Sequence, residues 1–128
     1  MKREVIRTEQ APAAIGPYSQ AVRLGPWLFL SGQIALDPRT GALVPGGAAE
    51  QAERCLENAR AVLAAAGAGF GDVVRATLYL SSMADFEAVN RVYARFFPDP
   101  PPARSTVQVA ALPRGAAVEI ELTAYCRE

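Results

Sequence analysis

The chain contains no histidine. That absence removes Ser/His/Asp and Cys/His nucleophile arrangements, imidazole general bases and every zinc site with an imidazole ligand. Its two cysteines, Cys55 and Cys126, lie far apart with no Cys-x-x-Cys spacing, so neither a redox pair nor a metal knuckle is suggested. Two buried or free thiols in a reducing compartment are a simpler reading than a disulfide. Net charge is also absent: 13 Lys or Arg balance 13 Asp or Glu, which disfavours nonspecific binding to nucleic acid or to an acidic membrane. No apolar run is long enough to span a bilayer, and Met1 to Pro12 is charged and lacks the apolar core of a signal peptide. The expectation is a soluble, cytoplasmic protein with neither a nucleic-acid nor a membrane partner. What the chain does have is apolar content, 51% of 128 residues, enough for a single domain over residues 1–128 with a real core. Chemistry must therefore use Arg, Glu, Asp, Tyr, Ser, Thr, backbone or water.

Glu4 to Thr8 reads as a short edge strand, and the Gly and Pro residues of Ala11-Pro12 and Ile15-Gly16-Pro17 then force an ordered turn. Ser19 to Leu24 and Trp27 to Ile34 flank Gly25-Pro26 as a hairpin, the second strand being apolar enough for burial on both faces. Asp37-Pro38-Arg39-Thr40-Gly41 and Pro45-Gly46-Gly47 carry turn chemistry. Between Ala48 and Ala66, Ala52, Cys55, Leu56, Ala59, Val62, Leu63 and Ala66 recur at steps of three and four, which predicts an amphipathic helix ended by Gly67, Gly69 and Gly71. Val73 to Ser81 reads as a strand. Ser82 or Met83 opens a second helix with Phe86, Val89, Tyr93, Phe96 and Phe97 on one face, stopped by the prolines from Pro98 to Pro102. Arg104 to Ala110 and Val118 to Tyr125 close the chain as strands.

The order ββ, α, β, α, ββ predicts an α+β fold of one sheet with two helices. Two helices cover only one face of such a sheet, and the other face is not uniformly polar, so layer counting calls for a second subunit on it and for a closed symmetric ring. Strand alternation puts Arg104, Thr106 and Gln108 on one face, and Glu119, Glu121 and Thr123 opposite Val118, Ile120 and Leu122. On this reading Arg104, Glu119 and Glu121 share the uncovered, subunit-facing surface. Spacing alone favours interface salt bridges among them over chemistry. A guanidinium nevertheless offers a rigid, permanently protonated fork that binds a small organic acid bidentately, and glutamate is the natural base or water-positioning group beside it.

Pro102-Ala103-Arg104-Ser105-x-Val107, followed by Leu112-Pro113 and Val118-Glu119-Ile120, resembles the C-terminal signature of the reactive-intermediate deaminase family, RidA, formerly YjgF. Gly16-Pro17-Tyr18-Ser19-Gln20-Ala21, Ser31-Gly32-Gln33-Ile34, Glu57-Asn58 with Ala65-Ala66-Gly67, and Phe86, Val89-Asn90, Tyr93 and Phe96-Phe97 resemble its other motifs in the correct order. The resemblance covers nearly the whole chain. It implies a chorismate-mutase-like α+β fold assembled as a homotrimer, with clefts between adjacent subunits and no metal or organic cofactor. It implies hydrolysis of reactive 2-imino acids, in equilibrium with enamines such as 2-aminoacrylate, to a 2-oxo acid and ammonia. By the same resemblance Arg104 binds the substrate carboxylate, Glu119 orients or deprotonates the attacking water, Tyr18 lines the cleft, and Ser31 and Gly32 shape the imine end. Asn90 matches an asparagine flanking the pocket. Thr106 stands where many relatives carry cysteine, so a thiol role is absent while backbone contacts at that position survive. The loop from Phe97 to Pro102 lacks the aromatic that often precedes Pro-Ala-Arg.

Two other classes fit parts of the sequence. A trimeric binding module for small 2-oxo acids or other carboxylates would use the same residues without turnover. RNA cleavage or translation inhibition is attributed to some relatives, but balanced charge, no histidine and no basic-aromatic stripe argue against it here.

Overall fold

The computed structural model describes residues 2–126. Among the described residues the elements are β1 (Glu4–Ile6), β2 (Ala21–Leu24), β3 (Trp27–Gln33), α1 (Ala48–Ala65), β4 (Val73–Leu80), α2 (Phe86–Ala94), β5 (Ala103–Gln108) and β6 (Val118–Tyr125). The strands form one mixed sheet in the order β1-β2-β3-β6-β4-β5. Only β4 and β5 pair in parallel, which requires a crossover connection, and α2 supplies it. This is the predicted α+β architecture of one sheet carrying two helices on one face.

Local chemistry explains the joints. Gly25 at φ 59° followed by Pro26 gives the sign pattern of a II′ turn, which matches the twist of the β2–β3 hairpin. At the start of α1 the Glu50 carboxylate accepts the Gly47 N–H at 2.9 Å, placing an acid beside the positive end of the helix dipole. The helix ends in a Schellman arrangement: Ala68 N–H donates to the Leu63 carbonyl (2.9 Å) and Gly67 N–H to that of Ala64 (3.0 Å), with Gly67 left-handed at φ 76°. No basic side chain lies in its last turn, but Arg23 of β2 donates to the Ala66 carbonyl and fills that role from the sheet.

The core sits between the sheet and α1. Leu28 and Leu30 of β3, Ile120 and Leu122 of β6, and Leu78 and Leu80 of β4 meet Leu56, Val62 and Leu63 of α1, with Val89 of α2 at one side. Two neutral amides tie loops to this core. Asn58, fully buried on α1, donates to the carbonyls of Ile34 (3.3 Å) and Leu36 (3.0 Å). Gln20, also buried, accepts from the Thr8 N–H (2.8 Å) and donates to the carbonyls of Thr8 (3.0 Å) and Pro12 (2.8 Å). One side chain thus pins the turn before β2 to the end of β1.

Two expectations need correction. β3 is not buried on both faces: Leu28 and Leu30 face α1, whereas Trp27 and Phe29 remain 41% and 43% exposed on the open face. Trp27 meets Tyr125 of β6 edge to face at 5.0 Å. The continuous apolar run reflects two different environments, one filled by the helices and one left apolar within the single chain. The second helix is also shorter than its apolar stripe, because Pro98 disfavours helical geometry upstream and the chain leaves α2 after Ala94. Phe96 and Phe97 pack on Phe70 from the turn that follows.

Ile120, 1% exposed at the centre of the sheet, should be the most costly truncation among the β6 residues. Ile120→Ala is expected to lower stability by about 2–5 kcal/mol. Urea unfolding measures it, and a loss below about 1 kcal/mol would show that the centre of the core lies elsewhere.

Candidate functional site

Four of the sequence-derived residues come together on the open face. Tyr18, Ser31, Gly32 and Glu119 line one open cleft of about 640 Å³, with Ile15, Leu36, Pro113, Arg114 and Glu121. Each arrives there for a local reason. Gln20 holds the segment before β2 from below, so Tyr18, 54% exposed, is presented at the end of a pinned turn. Ser31 is clamped to the same segment, its N–H donating to the Gln20 carbonyl (2.9 Å) and its hydroxyl to the Ser19 carbonyl (2.6 Å). The β3–β6 register then shifts between Leu30 and Gln33, a bulge that re-aims Ser31 and Gly32 toward the cleft.

Gly32 has a steric role. A Cβ built on it would lie 2.8 Å from Cδ of Glu119 and closer still to its carboxylate oxygen. Any other residue here requires the end of the Glu119 side chain to shift, so glycine leaves room for the carboxylate where it now sits. Partial burial is the main cause that raises the Glu119 carboxyl above its ordinary pKa, and the neighbouring charge of Glu121 adds to it. Glu121 is held differently. Tyr79 of β4 donates its hydroxyl to Glu121 Oε1 at 2.7 Å, leaving Glu119 the carboxylate without a protein donor among the described residues. Behind the sheet, burial pushes the Cys55 thiol up, with the Glu119 charge a smaller cause; it stays protonated and out of the chemistry.

Arg104 is elsewhere, which overturns the expectation that it shares the open face with Glu119 and Glu121. In the parallel β4–β5 register Arg104 sits opposite Ala76 and Thr106 opposite Leu78, both buried beneath the helices, whereas Glu119 and Glu121 sit opposite Tyr79 and Thr77. The guanidinium lies over the rings of Tyr93 (4.7 Å) and Phe86 (5.7 Å) of α2. The alternation within β5 was read correctly, but which face it meets depends on the neighbour to which β5 pairs. Among the described residues no carboxylate pairs with Arg104, so the intrachain form of the salt-bridge reading is not made. Thr106 lies on the same face, its hydroxyl buried and without a partner among the described residues. Asn90 is exposed on α2, one turn from Phe86 and on the stripe that carries Tyr93. The predicted residues therefore form two groups, a cleft with Tyr18, Ser31, Gly32 and Glu119 and an edge with Arg104, Thr106 and Asn90.

Sequence reasoning missed Arg114 as a cleft residue. Its backbone is left-handed (φ 63°), a rare conformation for a side chain of this size, and its guanidinium donates to the Gly41 carbonyl at 3.2 Å. The Pro113-Arg114-Gly115 run signalled a turn, but nothing in it signalled the cleft. Among the described residues there is no cluster of Cys, Asp and Glu able to hold a metal ion, and no helix long and apolar enough to cross a membrane.

The family model described as Endoribonuclease L-PSP matches residues 8–126. The chain belongs to this family. It is the RidA (YjgF) family that the motifs resemble. Among curated RidA relatives, protein DfrA of Myxococcus xanthus is 56% identical, over 97% of this chain and 96% of that one. The mouse protein named 2-iminobutanoate/2-iminopropanoate deaminase is 52% identical over 95% of this chain and 90% of its own. A solved Thermotoga maritima structure, described as a candidate endoribonuclease, is 51% identical and superposes over 100% of both chains with a TM-score of 0.96. The RidA fold and family are thereby established for this chain.

Because folding raises the proton affinity of Glu119, the folded chain keeps that proton where the unfolded chain has lost it. Its ionisation therefore costs stability as pH rises from the ordinary value of 4.5 through the raised folded value. Glu119→Gln should melt higher than the parent, by a margin that widens from about pH 4 to pH 7. Thermal melts across that range measure the margin, and one that is constant with pH would contradict the assignment.

Proposed function

We propose that this chain is a 2-iminobutanoate/2-iminopropanoate deaminase that hydrolyses reactive 2-imino acids to 2-oxo acids and ammonia. The observation that carries it is the Glu119 carboxylate, seated against Gly32 in a cleft and raised in proton affinity, in a chain half identical to a mouse protein named for that activity. A protonated imine carbon is already electrophilic, so hydrolysis needs an anchored carboxylate, one positioned water and a group that takes and returns a proton. Glu119 accepts a proton from water as the water oxygen bonds to C2 of the imine. The tetrahedral carbinolamine then receives that proton on nitrogen, the C–N bond breaks with its electron pair leaving on nitrogen, the C2 hydroxyl passes its proton to Glu119 as the C=O bond forms, and ammonia leaves the 2-oxo acid. Tyr18 and Ser31 supply hydroxyls to the changing oxygen and nitrogen, and Gly32 keeps room for the carboxylate.

The anchor comes from a second copy. Arg104 lies at the sheet edge on the helix side, and Glu119 lies on the open face, so neither group of residues is a complete site within one chain. The open face carries Trp27, Phe29 and Tyr125, each more than 40% exposed, which suits a subunit contact better than water. A closed homotrimer, in which the edge with Arg104, Thr106 and Asn90 of one subunit completes the cleft of the next, satisfies both observations. Thr106 contributes its backbone and hydroxyl, and Asn90 flanks the opening. The proposal places the protein in the cytoplasm, in keeping with its two free, buried cysteines, and assigns it neither a cofactor nor a nucleic-acid partner. The ribonuclease in the family model's description is not adopted, because the chain has no net charge and no histidine.

Ammonia and 2-oxo acid release from freshly generated 2-iminopropanoate and 2-iminobutanoate tests the activity. Wild type should accelerate release over buffer, and Arg104→Ala and Glu119→Gln should each lose at least about a hundredfold. No acceleration, with 2-oxobutanoate still bound, would leave a metabolite-binding module in place of the enzyme.

The composite site has its own test. Refolding equal amounts of Arg104→Ala and Glu119→Gln chains together should restore about a quarter of the wild-type rate, because about three quarters of the rings are mixed and every mixed ring regains one of its three sites. No recovery in verified mixed trimers would place both residues in the same chain's site.

A further inference from the structure

Among the described residues Arg104 is held without an ion pair. Its guanidinium carbon lies 4.7 Å from the centroid of the Tyr93 ring and 5.7 Å from that of Phe86, and among the described residues no carboxylate approaches it. The two rings stand two helical turns apart on one face of α2, so a single rigid element presents both. Tyr93 is itself braced. It is 6% exposed and stacks on Phe97 at 4.3 Å with an interplanar angle of 27°, and Phe97 meets Phe70 edge on at 4.9 Å. Among the described residues the Tyr93 hydroxyl has no hydrogen-bond partner, so the ring's place is set by packing and not by its polar tip.

The kind of contact matters for what Arg104 has to do. A carboxylate partner would fix the guanidinium by occupying its N–H fork, the same donors an incoming carboxylate needs. An aromatic face attracts the cation through the ring quadrupole and leaves the N–H edge unspent. Such a platform orients an anion anchor without competing with the anion.

We propose that Tyr93, with Phe86 beside it, is the positioning residue of the substrate anchor, holding the Arg104 guanidinium in a fixed plane with its donor edge free for a carboxylate. The proposal rests on the reading of Arg104 as that anchor. Tyr93 touches Arg104 and not the substrate, so its effect belongs to binding and not to the chemical step.

The test is a double-mutant cycle on the assembled protein, read by kcat and KM for 2-iminobutanoate and by calorimetric binding of 2-oxobutanoate. Tyr93→Phe keeps the platform and should stay within about twofold of wild type in both readouts. Tyr93→Leu should raise KM and the Kd for 2-oxobutanoate by about tenfold while kcat changes little. In an Arg104→Ala background the same Tyr93→Leu change should cost nothing further in kcat/KM, because there is no guanidinium left to orient. An equal loss in both backgrounds, or no loss in the first, overturns the proposal and leaves the deaminase reading standing. If Arg104→Ala alone binds and turns over like wild type, the reading of Arg104 falls and the proposal with it. Should Tyr93→Leu not fold, Phe86→Leu, at a less buried ring, takes its place in the cycle with a smaller expected rise, about threefold, and the same dependence on Arg104.

Discussion

The register of β6 is the constraint on which the rest depends. The strand lies between β3 and β4, and its alternation sends Val118, Ile120 and Leu122 under α1 and Glu119 and Glu121 to the open face. A slip of one residue would exchange the sets, burying two carboxylates beneath a helix and exposing the centre of the core. The cost of unpaired carboxylates in an apolar layer far exceeds any gain from alternative pairing, so the register is fixed by the core. Glu119 reaches the cleft only because three apolar neighbours hold the strand this way up. The carboxylate proposed as the proton acceptor and the centre of the core thus depend on one register.

A tension runs through the same position. Partial burial beside Glu121 makes ionised Glu119 unfavourable for the fold, and that raised proton affinity is what a group exchanging a proton with water requires. Gly32 shows the steric side of the compromise. It gives up the side-chain packing a strand residue supplies and leaves space that the carboxylate fills. Tyr79 donates to Glu121, so of the two carboxylates Glu119 is the one without a protein donor among the described residues.

Much of this was legible in the sequence, for identifiable reasons. The period of the α1 stripe and the glycine at its end fixed that helix to within a residue, and the strict alternation of Val118 to Tyr125 returned β6 without error. Tyr18, Ser31 and Gly32 were legible as cleft residues only through the likeness of their motifs to the RidA family, and Glu119 also through the alternation of β6. Arg104 was misplaced because alternation is relative. It says which residues share a face of β5, but only the pairing of β5 with β4 says which face that is, and the pairing runs through a crossover that leaves no trace in β5 itself. The aromatic stripe of α2 was visible as a core stripe, yet its contact with Arg104 was not, since it joins residues of different elements. Arg114 escaped because a turn motif specifies backbone shape and not the surface beside which the turn rests.

Thr106 has a further consequence. A thiol at that edge would lie on the face of β5 that carries a guanidinium and would add a sulfhydryl to the groups assigned to the site. Here the position holds a hydroxyl, and the two cysteines the chain does have, Cys55 and Cys126, are free but sealed in the core. Among the described residues no thiol meets solvent, so thiol-directed oxidants find no accessible sulfhydryl beside the groups assigned to the site. The groups proposed for the cleft therefore include no sulfhydryl, and an oxidant that acts on thiols alone would leave them unchanged.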